Sequence, residues 1–89
     1  MIGGKLSNSY IEKSLRWYDN QHGLYTSDRT SLIPSFKNIE CCSDIGLSPD
    51  QITVLAILYY DASSDPIRYV YDNIEALVPL LAYIENGIQ

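Results

Sequence analysis

The stretch IRYVYDNIEALVPLLAYI, residues 67–84, decides the fold of this 89-residue chain. Its apolar positions recur at spacings of 3, 4, 3, 4 and 3, which is the pattern of one face of an amphipathic helix. These six positions, called the seam below, are Ile67, Val70, Ile74, Leu77, Leu81 and Ile84. We expect the rest of the chain to pack against the seam.

Pro79 interrupts this predicted helix. Proline cannot donate a backbone N–H, and its ring crowds the carbonyl one turn earlier. The helix is therefore expected to kink or divide at Pro79. An alternative is that residues 67–71 form a strand and that the helix begins near Asp72.

Residues 48–51, SPDQ, predict the start of another helix. Ser48 suits the N-cap, Pro49 the first helical position and Gln51 the capping box, while Asp50 faces the positive end of the helix. The apolar run that follows, residues 52–60, also fits a buried strand. The cap favours a helix over about 49–61, and apolar residues on all its sides indicate deep burial.

The start of the chain predicts a further helix over about 9–21. Ser9 and Glu12 fit a capping box, and Ile11 and Leu15 follow at helical spacing. Gly23 is a natural end for this helix.

Between the two capped helices the signals are weaker. The polar residues 24–31 are typical of a loop, and Pro34 can open a short helix that ends by Gly46. Irregular structure fits this second segment nearly as well. The inner face of the short helix would be formed by Phe36 and Ile39, with Cys41 or Cys42 beside them.

These signals together predict an all-α fold, a small antiparallel bundle of three to four helices in a single domain, residues 1–89. An α+β fold with strands at 52–60 and 67–71 is the alternative.

The net charge of −5 is unevenly distributed. Residues 1–37 carry five basic groups against three acidic ones, whereas residues 38–89 carry Arg68 alone against eight acids. Those acids are Glu40, Asp44, Asp50, Asp61, Asp65, Asp72, Glu75 and Glu85. Such a field repels nucleic acid and anionic membranes and attracts basic proteins. We therefore expect a basic protein partner, with no direct nucleic-acid or membrane binding.

Residues suited to catalysis or metal binding are sparse. His22 is the only histidine and is interpreted as a solvated loop residue rather than a general base. The adjacent Cys41 and Cys42 lack a base signature for a nucleophile and further ligands for zinc. Asp61 and Asp65 lack the glycine and distal glutamate of a calcium loop. We expect no enzyme activity, no cofactor and no metal, and a cytoplasmic location.

A cluster of tyrosines and acids at the junction of the last two predicted helices is the richest candidate for a partner-binding surface. Tyrosines would act as rigid anchors, and carboxylates would steer and pair with a basic partner. The cluster is Tyr59, Tyr60, Asp61, Asp65, Tyr69, Tyr71, Asp72 and Glu75. The alternative is that some tyrosines enter the core while the acids cap helices and are solvated.

Part of this region resembles the immunity proteins of nuclease colicins. The likeness lies in Leu58-Tyr59-Tyr60, then Ser64-Asp65-Pro66, then a helix carrying Val70 and Ile74. The resemblance implies an acidic four-helix domain in which Tyr59, Tyr60 and Asp61 contact and block a basic DNase. The preceding helix departs from that family because only Asp50 stands near its start.

A second likeness is to the immunity proteins of cloacin-type ribonucleases. It lies in residues 15–19, LRWYD, with residues 71–74, YDNI, and 78–81, VPLL. Those proteins are built on a β-sheet and continue with strands after the VPLL segment, whereas this sequence stops at Gln89. Both resemblances imply an acidic inhibitor.

The sequence thus favours a small acidic protein of the immunity or antitoxin type, which inhibits a basic nuclease toxin by covering its active or substrate-binding surface. The alternative is a non-catalytic helical adaptor or homo-oligomeric module, such as a homodimer whose seam meets another helix.

Overall fold

The computed structural model describes residues 8–23, 26–36 and 46–88, and it is all-α. Four α-helices are present: α1 (Asn8–His22), α2 (Pro49–Leu58), α3 (Pro66–Asp72) and α4 (Ile74–Gly87). Two 3₁₀ helices, Thr26–Phe36 and Tyr60–Ala62, precede and follow α2. These described segments contain no strand, so the α+β alternative, with strands at 52–60 and 67–71, is wrong.

α2 lies at the centre of the molecule and packs against α1, α3, α4 and the longer 3₁₀ helix. Every residue from 52 to 57 is buried, as its all-round apolarity predicts. Thr53 is accommodated because its hydroxyl donates to the carbonyl of Pro49 at 2.8 Å. The other buried apolar side chains are Ile11, Leu15, Ile33, Phe36, Val70, Leu77, Leu81 and Ile84.

The predicted cap of α2 is confirmed. The hydroxyl of Ser48 accepts from the backbone N–H of Gln51 at 3.2 Å, and the Gln51 side chain accepts from the backbone N–H of Ser48 at 2.8 Å. The helix ends at Leu58 rather than near residue 61, because Tyr59 leaves helical geometry and the chain tightens into the short 3₁₀ helix.

α1 confirms the helix predicted over 9–21. Gly23 ends it with a φ of 65° while its N–H donates to the carbonyl of Asp19. Glycine reaches this left-handed conformation without the cost that a Cβ would bring.

The loop predicted over 24–31 is instead a 3₁₀ helix from Thr26 onward. Its three residues per turn bring Ile33 and Phe36 to the same inner side, where both are buried. Pro34 lies inside this 3₁₀ helix and does not begin a separate one, while the remainder of the short helix expected after it, residues 37–45, lies outside the described residues. Phe36 does face inward, whereas Ile39, Cys41 and Cys42 lie outside the described residues.

The seam faces the core, as predicted, but the helix carrying it divides at Asn73 and not at Pro79. The side chain and backbone N–H of Asn73 both donate to the carbonyl of Tyr69, which ends α3. Its own carbonyl accepts from the N–H groups of Ala76 and Leu77, which begins α4. α4 continues through Pro79. Because proline has no N–H, the carbonyl of Glu75, four residues earlier, receives no helical hydrogen bond from it. Glu75 is exposed.

Four of the six seam residues are buried, and Ile67 and Ile74 are half-buried against the core. The seam is thus used inside the chain and is not free to meet a second copy. In the part of the chain described, no helix combines the length and apolarity needed to cross a membrane.

Candidate functional site

The junction between α2 and α3 brings two of the predicted tyrosines together. The rings of Tyr59 and Tyr69 are stacked, with centroids 5.5 Å apart and planes inclined by 25°. Both rings are half-buried and pack against the core. Burial, followed by the nearby hydroxyls of Tyr18 and Tyr69, raises the pKa of Tyr59. The pair therefore forms an aromatic platform at this junction.

The short 3₁₀ helix presents Tyr60 and Asp61 at the edge of this platform. Tyr60 is 40 % exposed and is one of three large apolar side chains exposed among the described residues. Asp61 forms an ion pair within the protein, because its carboxylate accepts from Nη2 of Arg29 at 2.5 Å. Arg29 also donates to the carbonyl of Ile57 at 3.2 Å. The carboxylate of Asp61 thus stabilises the fold and is only partly available to bind a partner protein.

The acids in and beside α3 are exposed, but Asp65 and Asp72 have local partners. Asp65 accepts from the backbone N–H of Arg68 at 3.3 Å and so caps the helix. Asp72 pairs with the Arg68 side chain at 3.4 Å, and both side chains are exposed, so this pair contributes little to stability. Glu75, in the first turn of α4, is exposed and has no ion pair with the described residues.

Tyr71 completes the predicted set and is half-buried against the core. The set therefore divides in the structure. Its exposed members are Tyr60, Asp61, Asp65, Asp72 and Glu75, and its half-buried members are Tyr59, Tyr69 and Tyr71. We call this set the acidic tyrosine face.

The charge around this face is strongly one-sided. Residues 46–88 carry six acids, and Arg68 is their only basic residue. One of the six, Glu85, is half-buried and accepts from Tyr10 at 2.5 Å and from Gln51 at 2.8 Å. Glu85 thus links α1, α2 and α4, and together with burial it raises the pKa of Tyr10. The acids on the exposed side of α3 and at the start of α4 are the ones available to a partner.

A second aromatic group, not anticipated from the sequence, adjoins the platform. Trp17 meets Tyr83 edge to face at 5.0 Å, and His22 lies over Tyr18 at 4.2 Å. Burial raises the pKa of Tyr18, and the nearby phenol of Tyr83 raises it further. The phenol of Tyr18 in the same way contributes to the raised pKa of Tyr59. Four phenols, each close enough to the next to affect its pKa, therefore connect these helices. They are Tyr83 of α4, Tyr18 of α1, Tyr59 at the end of α2 and Tyr69 of α3.

The sequence contained part of the signal for this aromatic group. Tyr18 and His22 are four residues apart, which places them on one face of α1. Tyr83, by contrast, is 66 residues from Trp17, and only the tertiary fold brings the two rings together. His22 is the last residue of α1 and is exposed, rather than lying in a loop.

Within the described ranges, no group of three or more His, Cys, Asp or Glu side chains is arranged to hold a metal ion. Comparisons with protein-family models, curated protein sequences and solved structures found no match to this chain.

Proposed function

We propose that the chain is an acidic inhibitor of a basic nuclease toxin, of the immunity or antitoxin type. It would act by covering the toxin's active or substrate-binding surface with the acidic tyrosine face. The observation that carries the proposal is the stacked Tyr59–Tyr69 pair, with exposed Tyr60 next to Tyr59 in the chain. Exposed carboxylates occur at both ends of α3, which carries Tyr69, and at the start of α4.

The charge supports a basic partner. A surface that binds nucleic-acid phosphates is itself basic, and the exposed acids Asp65, Asp72 and Glu75 are complementary to such a surface. Opposite charge accelerates association and positions the two proteins. Covering the phosphate-binding surface is sufficient for inhibition, so the inhibitor needs no catalytic group.

The tyrosines supply the apolar part of the contact. Tyrosine brings a large area with few rotatable bonds, and aromatic residues dominate the energetics of many interfaces. Tyr60 is free to enter a pocket of the partner, whereas Tyr59 and Tyr69 are already held by each other and by the core. The platform therefore loses little conformational entropy on binding.

The proposal is tested with charge and anchor variants that leave the core intact. Asp72→Lys reverses an exposed charge on the face, and Tyr60→Ala removes the exposed anchor. The matched control is Glu12→Lys, because Glu12 is an exposed acid on α1 and its replacement changes the net charge equally. A purified toxin retained at low salt should be inhibited by the wild type and by Glu12→Lys, and at least about tenfold less by the double variant.

A non-catalytic adaptor or homo-oligomeric module is the second candidate, supported by the exposed apolar residues of α4. Salt distinguishes the two candidates. Steered binding between acidic and basic surfaces slows strongly from low to physiological ionic strength, whereas binding through an apolar surface barely responds.

A further inference from the structure

The outer face of α4 is apolar over about two turns. Val78 and Tyr83 are 42 % and 49 % exposed, and Pro79 and Ala82 lie exposed between them. No charged residue occurs from residue 76 to residue 84. This face is on the opposite side of the helix from the buried residues Leu77, Leu81 and Ile84. Of its residues, Tyr83 also contacts Trp17 of α1 with one side of its ring.

The two ends of this face carry opposite charges. Glu75 lies in the first turn of α4 and is exposed. At the other end, Lys13 and Arg16 line a groove of about 250 Å³ together with Trp17, Asn20 and Ile88. Arg29 and Arg68 are paired with acids, but neither Lys13 nor Arg16 forms an ion pair with the described residues. Among the described residues, Lys13 and Arg16 thus lie beside the C-terminal end of α4 without an acidic partner.

We infer that the outer face of α4 binds a second copy of this chain in an antiparallel, two-fold symmetric dimer. In that arrangement Pro79 of each copy lies against Ala82 of the other at the centre of the contact, and Val78 and Tyr83 lie on its two flanks. Glu75 then lies beside Asn86 of the other copy, close to that copy's Lys13 and Arg16. At a rise of about 1.5 Å per residue the contact from residue 75 to 86 spans roughly 16 Å.

The self-complementary charge distribution selects a second copy as the occupant. A two-fold axis across α4 places the acidic end of each face on the basic end of the other and closes the assembly at two chains. A uniformly basic partner would be repelled by Lys13 and Arg16, and a uniformly acidic one by Glu75. The small side chains of Pro79 and Ala82 also allow the two helices to approach closely.

Dimerisation and the proposed inhibitory function are independent claims, although Glu75 belongs to both surfaces. The dimer is therefore tested on purified protein without any toxin, by sedimentation velocity over a concentration series. Wild-type protein should change from monomer to dimer as the concentration rises. Val78→Glu should remain a monomer and keep the wild-type circular dichroism, because Val78 is exposed and makes no core contact.

A charge exchange tests the antiparallel arrangement itself. Glu75→Lys, and separately Lys13→Glu with Arg16→Glu, should each raise the dimer dissociation constant about tenfold. The combination of all three substitutions should recover most of the lost dimer affinity, because the two ends then carry reversed charges and still attract each other. Asp28→Lys is the control, because Asp28 is an exposed acid on the longer 3₁₀ helix rather than on α1 or α4, and it should leave the dimer unchanged.

Any of three results would overturn the inference. The first is a wild-type chain that sediments as a monomer throughout the concentration series. The second is a dimer that survives Val78→Glu. The third is a dimer whose charge variants do not restore each other. None of these results bears on toxin inhibition, which is measured with Tyr60→Ala and Asp72→Lys.

Discussion

The guanidinium of Arg29 bridges the carboxylate of Asp61 and the carbonyl of Ile57, and so fastens the longer 3₁₀ helix to the end of α2. Asp61 belongs to the acidic tyrosine face but is also a partner within the fold. Replacing it would therefore disturb structure and binding together, which is why Tyr60 and Asp72 are better probes of the face.

This bridge leads to a stability prediction. Arg29→Ala removes the donor to the Ile57 carbonyl and should lower the free energy of unfolding by about 1–2 kcal/mol. Most of the loss should come from that backbone hydrogen bond, because the Asp61 side chain is 76 % exposed. Urea unfolding followed by circular dichroism measures the change. Arg68→Ala, which removes only an exposed pair, should cost less than about 0.5 kcal/mol.

Gly87 allows close contact between α4 and the indole of Trp17. A methyl group at Gly87 would overlap the indole ring, so Gly87→Ala must turn Trp17 away from its contact with Tyr83. We expect a loss of about 1 kcal/mol, although Ala normally favours a helix over Gly. A shift of the Trp17 fluorescence to longer wavelength should accompany it. In a Trp17→Ala background the same substitution should be neutral or stabilising, and an equal loss in both backgrounds would contradict this account.

Pro79 leaves a missing hydrogen bond in α4. Pro79→Ala restores a donor for the Glu75 carbonyl and loses no core contact, since Pro79 is exposed. The monomer should therefore gain about 1–3 kcal/mol in dilute solution, as measured by urea unfolding. Destabilisation by this substitution would mean that the proline ring supports the packing of the helix.

Stability should fall at alkaline pH because the pKa values of Tyr10, Tyr18 and Tyr59 are raised above the ordinary value of 10.0. The folded chain holds these protons more tightly than the unfolded chain does. Their contribution to stability is fully present below about pH 10 and is lost as the pH rises through the folded-state pKa values.

Tyr10→Phe provides the test, because it removes the phenol that contacts Glu85. Urea midpoints from about pH 8 to pH 11 should fall less steeply for this variant than for the wild type. Equal slopes for the two proteins would show that Tyr10 does not link proton binding to folding.

Local patterns predicted much of the fold. The capping box at Ser48 and Gln51 depends on neighbouring residues only, and the all-round apolarity of residues 52–57 correctly indicated the centre of the core. The seam spacing correctly indicated which side of α3 and α4 faces inward. It did not reveal the division at Asn73, because apolar spacing reports the buried side and not whether each backbone hydrogen bond is kept.

Such local patterns could not predict contacts between residues that are far apart in the sequence. The polar residues around Arg29 have the composition of a loop. Their helical structure depends on Arg29 contacting the Ile57 carbonyl and Asp61, which are far away in the sequence. The pairing of Trp17 with Tyr83 similarly depends on α1 and α4 meeting in space. Within the acidic tyrosine face, the sequence identified the residue types, but not that Arg29 holds Asp61 or that Tyr59 stacks on Tyr69.

The central claim is that the acidic tyrosine face binds and inhibits a basic nuclease. It is tested most directly by affinity capture from native lysate at low salt, with wild type, Glu12→Lys and the Tyr60→Ala/Asp72→Lys double variant as baits. We predict that a salt step releases the same basic nuclease from the first two baits but not from the double variant, and that the released nuclease is active until wild-type chain is added back. Equal capture by all three baits, or a released protein whose activity the chain does not affect, would contradict the claim.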